Sequence, residues 1–352
     1  MTKPRWILFF GELPPKNIHG IAYSNHVNLK MLGSTYMIDI IEDDNFLIDH
    51  DKVSLAKLFR VIKKIFKVAE KSVRRKYAYF YLTYSLSVFG SLKTLSVIAV
   101  HRIFNHDKVV LHIHRGDFFS RFYGSEISRL LTRIVFSLSD KIIVLSKTQR
   151  LQFEKHFNKS FWILRNTVEI EMEPKSYLRT RKNFIFVSNY LIDKGIIDLL
   201  EVFSKLVLQE CNITLTTYGE FSDLTLKEKI LGFQSENIFI KGTITGIEKY
   251  ELIAKSDCLI LPSWNEGQPV IILEAMSVGT PVIASDTGLI SEILGVDYPY
   301  LTQPGNRKSL EDKILLYLRE KDSPDISKKL KEIYDNDYSH KKHEAELSEI
   351  FN

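Results

Sequence analysis

Cysteine is scarce in this chain: Cys211 and Cys258 are the only two among 352 residues. Two thiols in strand-like runs build no disulfide framework, so buried free thiols and a reducing, cytoplasmic compartment are expected. A membrane-spanning helix needs about 20 predominantly apolar residues. The uncharged run Tyr77–Leu92 is shorter and carries serine, threonine and tyrosine, so no span is expected there. Met1–Arg5 leads straight into the strand-like Trp6–Phe10, so no secretory leader is expected. Repeats and low-complexity tracts are missing. So is a G-x-G-x-x-G fingerprint, which argues against a nicotinamide-dependent dehydrogenase. The net charge is a modest +5, and no nucleic-acid partner is expected.

What is present is an alternation of short apolar runs with helical patterns. Trp6–Phe10, Met37–Ile41, Val109–His114, Lys141–Leu145 and Phe161–Leu164 read as strands. Ser24–Leu32, Leu55–Lys76 and Ile127–Leu138 read as helices between them. A polar stretch, Val168–Lys182, then interrupts the pattern as a linker. The alternation restarts with strands Asn183–Ser188, Ile213–Tyr218, Asn237–Lys241, Cys258–Leu261 and Pro281–Ala284. Helices start near Lys194, Leu224, Gly246, Pro269 and Asn306. The expectation is an α/β protein of two doubly wound domains, residues 1–170 and 171–335. Residues 336–352 form a last helix that returns to the first domain. Ligands bind such sheets at the carboxyl ends of their strands, so a cleft facing both domains is the expected site.

The richest stretch is Pro262-Ser-Trp-Asn-Glu-Gly-Gln-Pro-Val-Ile-Ile-Leu-Glu-Ala-Met-Ser-Val-Gly-Thr-Pro-Val-Ile-Ala-Ser-Asp286. It sets Glu266 in a loop and Glu274 in the second turn of the next helix. Pro269 suits the first helical position, where its missing N–H costs nothing. Gly267 allows close backbone approach. The helix start at Gln268, Pro269 and Val270 favours an anion such as a diphosphate. Two carboxylates at the mouth of an α/β sheet suit a polyhydroxylated ligand. Glu274 would take vicinal ribose hydroxyls, and Glu266 the sugar.

The phrase E-G-x-P-x-x-x-L-E-A followed by G-T-P-V-I-A-S-D-x-G resembles the signature of the retaining glycosyltransferases of family four (glycosyl transferases group 1), with the GT-B fold. The resemblance covers nearly all of the second domain and is weaker in the first. It implies two Rossmann-like domains facing a central cleft, a nucleotide-diphosphate sugar donor, UDP- or GDP-linked, and a glycan or lipid-linked acceptor. It implies no metal or other cofactor. Within it, Phe186–Gly195 is similar to the loop that holds the donor diphosphate. Ser188, Asn189 and Lys194 fall there, with Asn189 where many members have arginine. His19-Gly20 resembles a glycine-rich loop facing the diphosphate, with one glycine where many members have two. His114, next to His112, falls near a histidine that reaches the transferred sugar. Arg115 and Asp117 bind acceptor or donor, or pair with each other. Asn166 matches an asparagine after the last strand of the first domain. Tyr218, Gly219 and Thr243 match loops flanking the nucleobase.

On this reading Glu266, His114 and Lys194 carry catalysis, and the chain is a hexosyltransferase in cell-envelope polysaccharide or lipid-linked oligosaccharide synthesis. The alternatives are a non-catalytic partner subunit that binds a sugar nucleotide, and a GT-B-type epimerase. One more feature bears on the acceptor. Between Lys52 and Lys76 ten cations face only Asp51 and Glu70. Leu55, Leu58, Phe59, Ile62, Ile65, Phe66 and Ala69 recur there at helical spacing. A basic amphipathic helix suits the anionic inner face of a membrane, and equally an ordinary domain helix with a solvated cationic face.

Overall fold

The computed structural model describes residues 5–17, 19–43, 55–172, 180, 182–209, 212–221, 223–320 and 324–352. Cys211, Lys52 and the linker residues Glu173, Pro174 and Lys175 lie outside them. The chain divides into two compact units, one of residues 1–166 with 343–352 and one of residues 167–342.

The first unit runs β1 (Trp6–Gly11), α1 (Gly20–Leu32), β2 (Met37–Glu42), α2 (Leu55–Arg74), β3 (Tyr79–Thr83), α3 (Val88–Phe104), β4 (Lys108–His112), α4 (Phe118–Tyr123), α5 (Glu126–Leu138), β5 (Lys141–Val144), α6 (Lys147–His156) and β6 (Trp162–Ile163). Its six strands are all parallel in the order β2-β1-β3-β4-β5-β6. Period-two alternation sends successive side chains to opposite faces. Leu8, Phe10, Phe80, Leu82, Val109 and Leu111 point one way, against Val68 of α2, Val97 of α3 and Val135 of α5. Ile7, Phe9, Tyr79, Tyr81 and Val110 point the other way, against Leu29 and Leu32 of α1.

The second unit runs β7 (Asn183–Val187), a 3-10 turn (Ile192–Lys194), α7 (Ile196–Leu208), β8 (Thr214–Tyr218), α8 (Leu224–Leu231), β9 (Ile238–Lys241), α9 (Gly246–Lys255), β10 (Cys258–Leu261), α10 (Val270–Ser277), β11 (Val282–Ser285), α11 (Ile290–Leu294), β12 (Leu301–Thr302), α12 (Arg307–Arg319) and α13 (Pro324–Asp337). Its strands are also parallel, in the order β12-β11-β10-β7-β8-β9. Chain order reverses between β10 and β7, which makes that gap the topological switch point. Cys258 is buried in β10. A final helix, α14 (His340–Phe351), carries residues 343–352 that group with the first unit.

Two elements depart from expectation. Tyr77–Leu92 is not a featureless run: it holds β3, paired to β1 and β4 in the middle of its sheet, and the start of α3. A strand buried on both faces shows no polar alternation to mark it. The helix after β10 starts at Val270, with Pro269 as its extended N-cap (φ −68°, ψ 118°) rather than its first residue.

Phe351 is buried at the end of α14, with ring centroids 5.0 Å from Tyr79 and 5.4 Å from Tyr81. The Tyr36 hydroxyl donates to its carbonyl. Phe351→Ala removes that ring and leaves a cavity, lowering the stability of the first unit by about 3 kcal/mol in urea unfolding. An unchanged midpoint would show that the end of α14 is dispensable.

Candidate functional site

In the second unit the chain leaves β10 into the loop Pro262–Gln268, beside the switch point. Close backbone approaches hold that loop from two sides. Gly195, ending the turn after β7, adopts φ +71°, and a Cβ there would stand 2.1 Å from the Pro262 carbonyl oxygen. Gly288, after β11, adopts φ +62°, and its Cβ would meet the Glu266 carbonyl oxygen at 2.1 Å. Backbone N–H groups reinforce both sides, Trp264 donating to Asp193 (2.8 Å) and Leu289 to Gly267 (2.9 Å). The Trp264 indole donates to Asp198 (2.9 Å), which Arg307 also holds (2.6 Å).

This framing brings Lys194 and Glu266 together. Lys194 Nζ lies 2.8 Å from Glu266 Oε1, so a cation from the loop after β7 meets a carboxylate from the loop after β10 across the switch point. Neither position is near the other in sequence. Gln268 is buried just ahead of α10, whose N-cap residue Pro269 makes no side-chain cap hydrogen bond.

Glu274 lies elsewhere on α10 and has its own cation. Only 3% of it is exposed. Its Oε1 takes a hydrogen bond from Lys249 Nζ of α9 at 2.6 Å. Its Oε2 is sealed from solvent, and the Tyr250 hydroxyl, which accepts from the Glu169 and Ile170 N–H groups (3.2 and 3.3 Å), interacts with the same carboxylate. Burial raises the carboxyl above its ordinary value, against the pull of the Lys249 cation. A buried carboxylate is costly unless donors reach it, which Lys249 and Tyr250 do here. Lys249 escaped the sequence reading, since nothing in a helix-surface lysine announces a partner 25 residues away.

The diphosphate and base candidates occupy the neighbouring strand ends. Ser188 and Asn189 are half-buried just past β7. Gly219 follows Tyr218 so closely beneath Ser188 that a Cβ would stand 2.3 Å from the Ser188 carbonyl oxygen. Tyr190, also unanticipated, donates to the Lys241 carbonyl (2.7 Å) and fixes these loops to β9. Thr243 is exposed beyond β9.

In the first unit the sequence candidates cluster at the carboxyl ends of β1 and β4. His19 caps α1 ahead of Gly20, its Nδ1 accepting from the Ala22 N–H at a long 3.5 Å. That assigns the proton to Nε2, which faces Glu12 at 2.8 Å. His112 and His114 lie against each other, with ring centroids 3.8 Å apart and ring planes tilted by 35°. Both nitrogens of buried His114, and Nε2 of His112, lack partners among the described residues. His112 Nδ1 instead meets the Tyr81 hydroxyl (2.8 Å). Tyr81 bonds Asn28 (2.9 Å), and Asn28 bonds His343 Nε2 of α14 (2.7 Å). His343 Nδ1 faces the Arg165 carbonyl at 2.6 Å, and a carbonyl only accepts, so that nitrogen carries a proton. Burial, and secondarily the nearby His19, depresses His114 to about 3. Burial also holds His112 well below 6.5. Both rings are therefore neutral hydrogen-bonding groups near pH 7 rather than cations.

Arg115 and Asp117 pair with each other through two bonds (2.7 and 2.8 Å), and Arg121 adds a third (2.8 Å). Those charges depress Asp117 despite its burial. Asn166 accepts from Ser24 of α1 (2.8 Å), tying the end of the unit to the helix behind Gly20. Among the described residues no three His, Cys, Asp or Glu side chains converge in a way that would hold a metal ion.

The family described as Glycosyl transferases group 1 matches residues 169–337. The putative teichuronic acid biosynthesis glycosyltransferase TuaC of Bacillus subtilis is 26% identical over 136 residues, covering 39% of this chain and 33% of that protein. The match thus spans about a third of that relative's length. Sucrose-phosphate synthase of Thermosynechococcus elongatus superposes with a TM-score of 0.73 at 14% identity, covering 99% of this chain and 98% of that one. TarM of S. aureus, solved with fondaparinux, α-GlcNAc-glycerol and UDP, superposes with a TM-score of 0.62 at 19% identity, over 82% of this chain and 58% of that one. At these identities the structures establish the GT-B fold.

Two outcomes follow for stability. Gly195→Ala strains a left-handed position and drives a methyl into a backbone carbonyl, so it lowers the melting stability of the second unit by about 2 kcal/mol or more. Gly242→Ala, which meets nothing within 4 Å, is the control. For the first unit the sign follows from the depressed imidazoles. Below 6.5 the unfolded chain takes up protons that folded His114 refuses until about 3, so stability falls as pH drops through that window. The slope is about 1.4 kcal/mol per pH unit for each such ring. Urea midpoints between those limits check it, and His114→Asn should flatten the dependence. An equal slope in that variant would contradict the assignment.

Proposed function

We propose that this chain, whose residues 169–337 match the glycosyl transferases group 1 family, transfers a sugar from a nucleotide-diphosphate donor to an acceptor hydroxyl in cell-envelope glycan synthesis. The observation that carries the reading is the Lys194–Glu266 pair at 2.8 Å across the switch point, where doubly wound sheets bind nucleotides. Lys194 supplies a compact positive charge to a diphosphate. The start of α10, which follows the same loop, adds backbone N–H groups that favour an anion. Glu266, held by Lys194 until donor arrives, orients the sugar hydroxyls. A ribose is assigned to the Glu274 carboxylate on the family resemblance, which makes a nucleoside rather than a bare sugar phosphate the ligand.

Catalysis on this account rests on positioning and on stabilising the leaving diphosphate. His114 serves as a neutral hydrogen-bonding group to the transferred sugar. The donor is UDP- or GDP-linked; the UDP in TarM favours the first as the starting point. Retention of anomeric configuration follows from the family resemblance. TuaC, named for teichuronic acid biosynthesis, supports an envelope acceptor.

The test is turnover of UDP- and GDP-hexoses, read as released nucleoside diphosphate. Glu266→Ala should lower kcat about 100-fold while nucleotide still binds. Lys194→Ala should weaken nucleotide binding by about 2 kcal/mol, as the loss of a charged hydrogen bond implies. Full turnover in Glu266→Ala would remove its role.

A further inference from the structure

Helix α2 packs with the wrong side out for a helix in water. An amphipathic surface helix normally buries its apolar stripe and shows its charges. Here Lys64 and Lys71 face the sheet, bonding Asp43 (2.7 Å) and Asp39 (3.1 Å) at β2 and just past it. Lys93 of α3 reaches the same Asp43, and Arg75 the same Asp39. Val68, Ser72 and the half-buried Ile65 complete the inward face. The apolar stripe is left outside: Leu55, Phe59, Ile62 and Phe66 recur at i, i+4, i+7 and i+11, with Phe59 69% and Phe66 70% exposed. Lys63 and Lys67 are exposed beside that stripe.

The pattern continues across the layer. α3 packs beside α2, and α5 beside α3, all on one face of the first sheet. α5 turns Ile127, Leu130 and Ile134 outward, with exposed Arg133 among them. Contiguous exposed apolar surface of this kind marks an interaction site.

Charge selects the occupant. α2 carries seven Lys and Arg (57, 60, 63, 64, 67, 71 and 74) against Glu70 alone. A second copy docked through the same face would set this cationic surface against itself, as a two-fold interface requires. An anionic bilayer meets both features, taking the rings among its acyl chains and the lysines at its headgroups. Among the described residues no helix is long and apolar enough to cross a membrane, so the contact is with the surface. We propose that the outward face of α2, continued by α3 and α5, is an anionic-membrane docking surface that lays α2 in the plane of the interface. The 20 residues of α2 make that contact about 30 Å long.

This proposal is independent of the donor-site reading, and vesicle flotation of the full chain tests it without any sugar nucleotide. The vesicles are phosphatidylcholine alone, and equal parts phosphatidylcholine and phosphatidylglycerol, at low and high salt. The chain should float with the anionic vesicles at low salt and much less with the zwitterionic ones. Phe59→Ser with Phe66→Ser should bind about tenfold more weakly. Its thermal unfolding should be unchanged, because both rings are already exposed. Lys63→Glu with Lys67→Glu should abolish the preference for anionic lipid. Three results would overturn the proposal: no flotation of the native chain at low salt, full flotation of the double serine variant, or a dimer in solution that the serine variant dissociates.

Discussion

The second unit depends on one constraint, the room left for the loop between β10 and α10. Two glycines with positive φ, Gly195 and Gly288, let backbone carbonyls of that loop approach to distances that no Cβ tolerates. Because the loop is fixed at both flanks, Glu266 is presented at a defined place rather than swinging on a mobile tip. Lys194, one residue before Gly195, is carried to it by the same turn. The pairing of a cation and a carboxylate is thus a consequence of backbone packing at the switch point. It also keeps each charge satisfied by the other.

The two units handle buried polar groups differently. In the second, the buried Glu274 carboxylate is held by Lys249 and by Tyr250, so its charge is met by protein donors. In the first, burial keeps His112 and His114 neutral, and a chain of bonds through Tyr81 and Asn28 ends at His343. Since His343 lies on α14, a residue from the end of the chain helps set the orientation of an imidazole at the end of β4. The charged pair that sequence reading left open, Arg115 with Asp117, is occupied with itself and with Arg121.

Much of this was legible in the sequence where local pattern and fold agree. The apolar strands of the second unit, the loop-to-helix step at Glu266–Glu274 and the two-domain α/β architecture follow from runs and turns. The doubly buried β3 was hidden because alternation vanishes when both faces are covered. The partners Lys249 and His343 were hidden because long-range contacts leave no mark on either segment. For α2 the sequence showed an apolar stripe and many cations, but periodicity defines faces without saying which one points inward. Carboxylates on β2 and just past it, Asp39 and Asp43, decide that by drawing the lysines to the sheet.

The central claim is that the loop after β10 and helix α10 form a nucleotide site. Calorimetric titration of UDP, GDP and ADP into the native chain and Glu274→Gln tests it most directly, since glutamine keeps the volume and a partner for Lys249. The account predicts that one of the three binds the native chain and loses at least about tenfold in affinity in the variant, some 1.4 kcal/mol. Absence of binding by every nucleotide, or equal binding by both proteins, would contradict it.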